Sequence, residues 1–479
     1  MSFEIKSGNE IGERRDRVSL LVQVPGDTGN AQRFLVLYGN DVRYCHAFKA
    51  WFIWDNQRWV RDEQGYATTL AKKVVIEFLG QAVAANNRDA EKLAKSSLDA
   101  PKIRGLLALA QDEVAIKPEE FDRQRDLLVF NNGTVDLSTR LSRGFERSDF
   151  ITKLVHHDYR PDATCPLFLS VLRRWMGAAQ DGTRAERLVN ALQVYFGYSL
   201  TGHTSAKAVF MLIGPKDTGK TTILELFCEL LGEHSALIRI ETLMEGPVQR
   251  SLGLRADLAD LRGARFVRTS ETEEGKRLAE AQLKYITQGM GSIRAERKFE
   301  NPFEFEETHK LWIDANHKPV IRGTDSAIWD RLITIPFEVA IPDEEKDPQL
   351  LEKLLAEAEG ILAWAVAGAQ RWYASGRRLP RPEEVRTAGE VYRADMDTVG
   401  RFLEERCEIG GSFTVPSSEI YAAYRQWAEN GGEHPMSQVS FSKRMKNRGG
   451  ITSEHKEWGT LFVGVRLRTK SPNPAANES

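Results

Sequence analysis

The chain has 479 residues, with 66 Lys and Arg against 68 Asp and Glu and a formal net charge of −2. That length exceeds one ordinary domain and, at about 150 residues each, suggests roughly three. The balanced charge excludes nucleic-acid binding by bulk attraction and leaves it to local basic patches. Cys45, Cys165, Cys228 and Cys407 form no close pair, which argues against a zinc ribbon or a disulfide framework. The run MSFEIKSGNEIGERRDR lacks the apolar stretch of a secretory signal, and no later segment offers about eighteen uncharged apolar residues. The expectation is a cytoplasmic protein with no membrane partner.

In chain order, residues 1–120 alternate short apolar runs such as RFLVLYG and AWFIWDNQRWV with the helical period of LAKKVVIEFLGQAVAANN, an α+β module. Trp51, Trp54 and Trp59 are assigned to packing rather than to base stacking. LLVFNNGTVDLST, residues 127–139, reads as a hairpin turning at Gly133, and helices follow to complete a collar-like region over 121–204. AVFMLIG is the next strand, and ILELFCELLG is a helix closed by Gly232, opening a core expected over 205–375. The Pro-rich GRRLPRPEEV marks a linker over 376–397. A compact unit is expected over 398–468, and 469–479 has the composition of a disordered tail.

GPKDTGKTT, residues 214–222, follows a strand and opens a helix. Gly214 and Gly219 let the backbone curl so that N–H groups converge on a β-phosphate, Lys220 reaches the β and γ oxygens, and the Thr221 hydroxyl ligates magnesium. Gly214, Pro215, Lys216, Asp217, Thr218, Gly219, Lys220, Thr221 and Thr222 are therefore the expected ATP-binding residues, with Mg2+ as the second cofactor. Hydrolysis needs an acidic group beside the metal and the attacking water. The strand ARFVRTS ends at Glu271, chosen for that role, with Glu273 in reserve, Glu274 just beyond, and a solvated acidic turn as the competing reading. KLWIDANHKP places Asn316 at another strand end, where its amide would hold the water or the γ-phosphate. AIWDRLITIPF places Arg331 before a further strand, either to reach a neighbouring subunit's nucleotide or to pair with Asp325 or Asp330.

Over about residues 125–465 this series resembles the superfamily 3 helicases, specifically the helicase part of phage and plasmid primases and the poxvirus primase-helicase. The marks, in order, are LLVFNNGTVDL, GPKDTGKTT, RFVRTSETEEG, LKYITQGMGSIRAERKFENPFEFEETHKLWIDANHKP and AIWDRLITIPF. The resemblance implies an α/β fold: an AAA+-type P-loop ATPase core, here with an N-terminal α+β and helical module and a C-terminal winged helix. It implies a homo-hexameric ring with ATP at subunit interfaces, single-stranded DNA in the channel, and 3′ to 5′ movement. It puts the family's loop lysine on Lys220, its acidic strand-end residue on Glu271, its sensor asparagine on Asn316 and its trans-acting arginine on Arg331, with Arg322 as alternative. Where relatives carry an acidic residue after a glycine pair, this chain reads ITQGMGS.

SIRAERKFENPFEF, residues 292–305, has a strand, a basic turn and a strand, and matches the family's channel hairpin. Arg294, Arg297 and Lys298 would meet DNA phosphates; a solvated charged hairpin is the alternative. The C-terminal unit carries eight Lys and Arg against two acidic residues over 435–470. Lys443, Arg444, Lys446 and Arg448 concentrate on its second helix, which suits the major groove or, alternatively, a protein-docking winged helix. Residues 1–120 hold no Asp-x-Asp, so no primer synthesis is expected and a separate primase would be a partner. The function expected is an ATP-dependent replicative DNA helicase of a phage, plasmid or mobile element, acting on single-stranded and forked DNA. The alternatives are an origin-binding initiator that melts DNA and a regulatory P-loop switch that does not act on it.

Overall fold

The computed structural model describes residues 19–22, 24–246, 256–269, 275–296, 302–323, 326–432, 434–457 and 459–468. At the N-terminal end, strands β1 (Val42–Cys45), β2 (Ala50–Trp54) and β3 (Trp59–Arg61) form an antiparallel sheet beside helices Gly26–Tyr38, Tyr66–Ala84, Arg88–Ser96 and Ala100–Glu113. Trp54 and Trp59 are buried, and Trp51 packs edge-on against Phe34 and Tyr44. These rings hold the module together.

A second antiparallel sheet, β4 (Leu127–Phe130), β5 (Gly133–Asp136) and β6 (Ser142–Arg143), includes the hairpin read from LLVFNNGTVDL. Leu128, Phe130 and Val135 share one hydrophobic core with the helix Gly182–Leu200 and with the next strand, so a continuous core crosses position 204.

Five parallel strands then build the central sheet: β7 (Val209–Ile213), β8 (Ser235–Ile238), β9 (Phe266–Thr269), β12 (Lys310–Ala315) and β13 (Leu332–Pro336), in the spatial order β13-β7-β12-β9-β8. β7, β12 and β13 are almost continuously buried, as strands covered on both faces must be. Their side chains alternate. Phe210, Leu212 and Trp312 face helices Gly182–Leu200, Lys220–Leu231 and Ala358–Ala374, where Phe196 stacks on Phe227 at 3.7 Å and on Trp312 at 4.4 Å. Val209, Met211, Leu311 and Ile313 face the opposite core, which includes Ile286, Ile328 and Tyr392. The antiparallel ribbon β10 (Ser292–Ala295) and β11 (Phe303–Glu306) leans on this second core through Ile293 and Phe305.

The segment 376–397, expected as a linker, is built into the fold. It contains the helix Glu383–Asp395, whose fully buried Tyr392 donates a hydrogen bond to the Pro319 carbonyl at 2.5 Å. Pro382 stands just before the first helical turn, where its missing N–H costs nothing, so the Pro-rich run that suggested a break instead starts a helix. The C-terminal unit follows with helices Thr398–Arg406, Ser417–Asn430 and Gln438–Lys446 and strands β14 (Cys407–Pro416), β15 (Thr452–Lys456) and β16 (Gly459–Leu467), paired antiparallel in the order β14-β16-β15. Phe402, Tyr424 and Phe441 fill its separate core. Among the described residues no helix is long and apolar enough to cross a membrane.

Candidate nucleotide site and nucleic-acid interface

The loop Gly214–Gly219 leaves the C-terminal end of β7 and enters the helix Lys220–Leu231, so it sits at the end of a parallel sheet where ligands ordinarily bind. Two positions require glycine. A Cβ on Gly214 would lie 1.7 Å from the Phe337 carbonyl oxygen, and Gly219, at φ 88°, would drive a Cβ to 2.3 Å from the Trp175 ring. The loop is therefore pressed between β13's exit and the helix Pro166–Trp175.

Lys220 is buried at the first turn. Its ammonium donates to the carbonyls of Gly214 at 3.0 Å and Pro215 at 2.6 Å and to Thr218 Oγ1 at 3.2 Å. These are the contacts of a cation folded back on its own loop, where arriving phosphate oxygens would compete for it. Pro215, Lys216 and Asp217 are exposed; Asp217 has φ 60° and pairs with Lys346 at 3.1 Å. Thr222 is half-buried on the same helix.

The Thr221 hydroxyl donates to Asp314 Oδ2 at 2.5 Å. Asp314 was not singled out from sequence. Because β12 is inserted between β7 and β9, Asp314 lies in register with Leu212, and its carboxylate points to the same side as Trp312, toward the loop's helix. The available signal was an acidic residue alternating with apolar ones in KLWIDA, on the strand that also carries the expected Asn316. Asn316 lies just beyond the end of β12, where the Gly214 N–H reaches the Ala315 carbonyl at 3.4 Å, so the loop and Asn316 start from neighbouring strand ends. The hydroxyl and carboxylate oxygens of Thr221 and Asp314 are the hard donors that a magnesium ion takes. Glu271, Glu273 and Glu274 lie outside the described residues.

Arg331 ends the helix Ser326–Arg331 and precedes β13. Since Leu332 pairs with Val209 and Pro336 with Ile213, Arg331 sits at the opposite end of the sheet from Gly214, about 20 Å of strand away. Its Nη1 donates to the Ala327 carbonyl at 2.6 Å. Arg322 is exposed; its N–H meets Glu280 Oε1 at 2.9 Å and its carbonyl accepts from Arg444.

The ribbon expected to meet DNA is present as β10 and β11, with the Arg294 side chain exposed opposite Glu304. Arg297 and Lys298 lie outside the described residues. The carboxylate that steadies the preceding ITQGMGS turn comes from beyond the ribbon: Glu307 Oε2 accepts the Gly289 N–H at 2.9 Å. On the helix Gln438–Lys446 and the turn after it, the four basic residues divide. Lys443 and Lys446 are exposed, whereas Arg444 docks on Arg322 and Arg448 pairs with Asp397, the cap of helix Thr398–Arg406.

The other end of the sheet holds a buried charge cluster. Arg265 donates to the carbonyls of Leu200 at 2.6 Å, Leu127 at 2.7 Å and Gln124 at 3.2 Å, and burial lowers its pKa to about 10. Lys310 donates to the carbonyls of Thr201, Thr308 and His203, and burial holds its pKa well below the ordinary value. Burial likewise pushes Glu307 up to about 7.

Residues 31–177 match a family model described as D5 N terminal like, 212–331 a family of unknown function (DUF5906), and 394–456 a model described as Poxvirus D5 protein-like. The chain is 25% identical over 271 residues to "Putative helicase 022R" of Frog virus 3 (isolate Goorha), covering 53% of this chain and 27% of that protein. It is 22% identical over 437 residues to "Putative helicase 184R" of Invertebrate iridescent virus 6, covering 84% and 43%. The chain thus spans less than half the length of these curated relatives. A solved structure of the NrS-1 C terminal region in its apo form aligns with a TM-score of 0.49 at 12% identity, covering 91% of this chain and 98% of that one. With D5-type models matching on both sides of the phosphate loop and helicase-named viral proteins aligned along the chain, the chain is similar to D5-like primase-helicases.

Proposed function

We propose that the chain is an ATP-dependent DNA helicase of a virus or mobile element, working as a homo-hexameric ring on single-stranded and forked DNA in the host cytoplasm. The observation that carries this reading is the loop Gly214–Thr222 at the end of β7 with Thr221 held by a buried carboxylate on the adjacent strand. The strand order β13-β7-β12-β9-β8 supports an AAA+-type core, and the C-terminal arrangement of three helices and a three-stranded sheet supports a winged helix.

In this mechanism the loop amides and Lys220 bind the β and γ phosphates, Lys220 exchanging its loop carbonyls for them. Thr221 and Asp314, with Glu271, would hold Mg2+, which supplies charge neutralisation on the phosphates. Glu271 orients and polarises the attacking water, and Asn316 senses the γ-phosphate. Arg331, too far along β13 to reach its own chain's loop, would serve the nucleotide of the neighbouring subunit. Arg294, Arg297 and Lys298 track the DNA backbone, and the path from ribbon to site is short in sequence: β11 is followed by Glu307 and then by β12 with Asp314 and Asn316.

The test is subunit mixing. Lys220→Ala and Arg331→Ala chains should each fail to hydrolyse ATP, and their mixture should recover part of the activity, because one interface then combines an intact loop with an intact arginine. No recovery, with both variants folded, would remove Arg331 from its trans role. DNA-independent hydrolysis by the wild type would favour a P-loop switch instead.

A further inference from the structure

Between the helices Gly182–Leu200 and Ala358–Ala374 and the segment that leads from the second of them to Pro382, an open cavity of about 720 Å³ is lined by arginines. Its apolar part is Ala191 and Val194, both buried, with the half-buried Leu379 and Pro380. Arg371, Arg378 and Arg381 stand exposed around it. Arg371 donates to Asn190 Oδ1 at 3.0 Å and Gln193 Oε1 at 2.5 Å, and Arg381 to the carbonyls of Asp330 at 2.6 Å and Leu332 at 3.4 Å. Neutral oxygens orient these guanidinium groups without cancelling their charge.

Among the described residues no carboxylate pairs with Arg371, Arg378 or Arg381, whereas Arg187 at the same cavity is matched by Glu384 and nearby Arg184 by Glu338. Three unmatched cations on one concave surface repel one another until an anion arrives between them. The place of the cavity selects the anion. Arg381 holds the carbonyls on either side of Arg331, so the cavity begins where the proposed trans-acting arginine leaves the fold. Beside the phosphate loop lies the opposite charge: residues 338–347 carry Glu338, Asp343, Glu344, Glu345 and Asp347 against Lys346 alone. This segment is fastened to the loop, the Ile341 N–H donating to the Asp217 carbonyl at 2.8 Å and Lys346 pairing with the Asp217 carboxylate at 3.1 Å. Asp343 and Glu344 are exposed, with Pro342 and Pro348 exposed on either side to stiffen the turn and give it an apolar edge. A surface that brings Arg331 to a second copy's phosphate loop also brings the arginine cavity toward that copy's acidic turn.

We infer that the acidic turn Asp343–Asp347 of a second copy docks in this cavity, its carboxylates on Arg371, Arg378 and Arg381 and its flanking prolines against Leu379 and Pro380. The inference rests on the trans reading of Arg331 and adds the contact that sets the register between neighbouring chains.

The test is charge reversal in the full chain with ATP and Mg2+, read by sedimentation velocity as the protein concentration at half-assembly. Arg371→Glu with Arg378→Glu, and separately Asp343→Lys with Glu344→Lys, should each raise that concentration about tenfold or more, because like charges then face each other. The chain carrying all four changes should return to within about threefold of wild type. Arg371→Ala with Arg378→Ala removes charge without adding any; it should weaken assembly by a smaller factor, and it replaces the reversed pair if that chain melts below wild type. Assembly unmoved by either reversal, loss on the arginine side alone, or no recovery in the fourfold variant would overturn the proposal while leaving the ring reading in place. If wild type stays monomeric with ATP at every concentration, the ring reading falls and this contact falls with it.

Discussion

Two buried lysines occupy opposite ends of the same sheet and are held in opposite ways. Lys220 donates to the Gly214 and Pro215 carbonyls and to Thr218 Oγ1, groups of its own loop. Lys310 donates to carbonyls at Thr201, His203 and Thr308, joining the start of β12 to the segment after helix Gly182–Leu200. Arg265 does the same beside it, tying β9 to the Gln124–Leu127 segment. Local partners can be exchanged for a ligand by moving one side chain, whereas partners drawn from distant segments cannot be released without loosening the fold. One end is built to exchange contacts and the other to keep them.

The comparison breaks most sharply at Lys220. Lys220→Ala should lower ATP hydrolysis by ~10²–10³-fold while leaving the melting temperature close to wild type, since removing a donor of phosphate contacts costs catalysis rather than packing. Arg265→Ala should do the reverse. Three carbonyls from two segments lose their donor in a buried site, so destabilisation of about 3 kcal/mol is expected in denaturant melts, with nucleotide affinity of the remaining folded protein retained.

Glu307 sharpens the contrast through pH. Its folded pKa of about 7 stands above the ordinary 4.5, so between those values the native state holds a proton that the unfolded chain has released. Its contribution is most favourable below about pH 4.5 and is lost as pH rises to about 7. Glu307→Gln, which keeps an acceptor for the Gly289 N–H, should gain on the order of 2 kcal/mol relative to wild type at pH 8 and little at pH 4.5, read as the difference in unfolding free energy. Asp314→Asn is the smallest and most specific change. Keeping the hydrogen bond from Thr221 but losing the charge, it should raise the Mg2+ concentration needed for tight ATP binding by about tenfold. An unchanged Mg2+ requirement would leave Asp314 only a positioning partner of Thr221.

How much of this was legible in the sequence differs by element. The strand, loop and helix around GPKDTGKTT were readable because the phosphate loop is a local motif whose glycines are needed for close approach at Gly214 and for positive φ at Gly219. The ribbon at 292–306 was readable from alternating apolar residues around a polar turn. Asp314 was not, because its importance comes from β12 being inserted next to β7, a sheet order that no single segment encodes. Helix Glu383–Asp395 was hidden because prolines that read as a break sit at a helix start. The buried cluster of Arg265, Glu307 and Lys310 carried no sequence signal because most of its partners are backbone groups far away in the chain.

The most direct measurement is strand separation of a forked DNA duplex with ATP and Mg2+, wild type beside Lys220→Ala. A motor of the proposed kind separates the strands only with the lysine in place, and single-stranded DNA stimulates its hydrolysis. Wild-type protein that hydrolyses ATP without separating strands, and without stimulation by DNA, would contradict the helicase account.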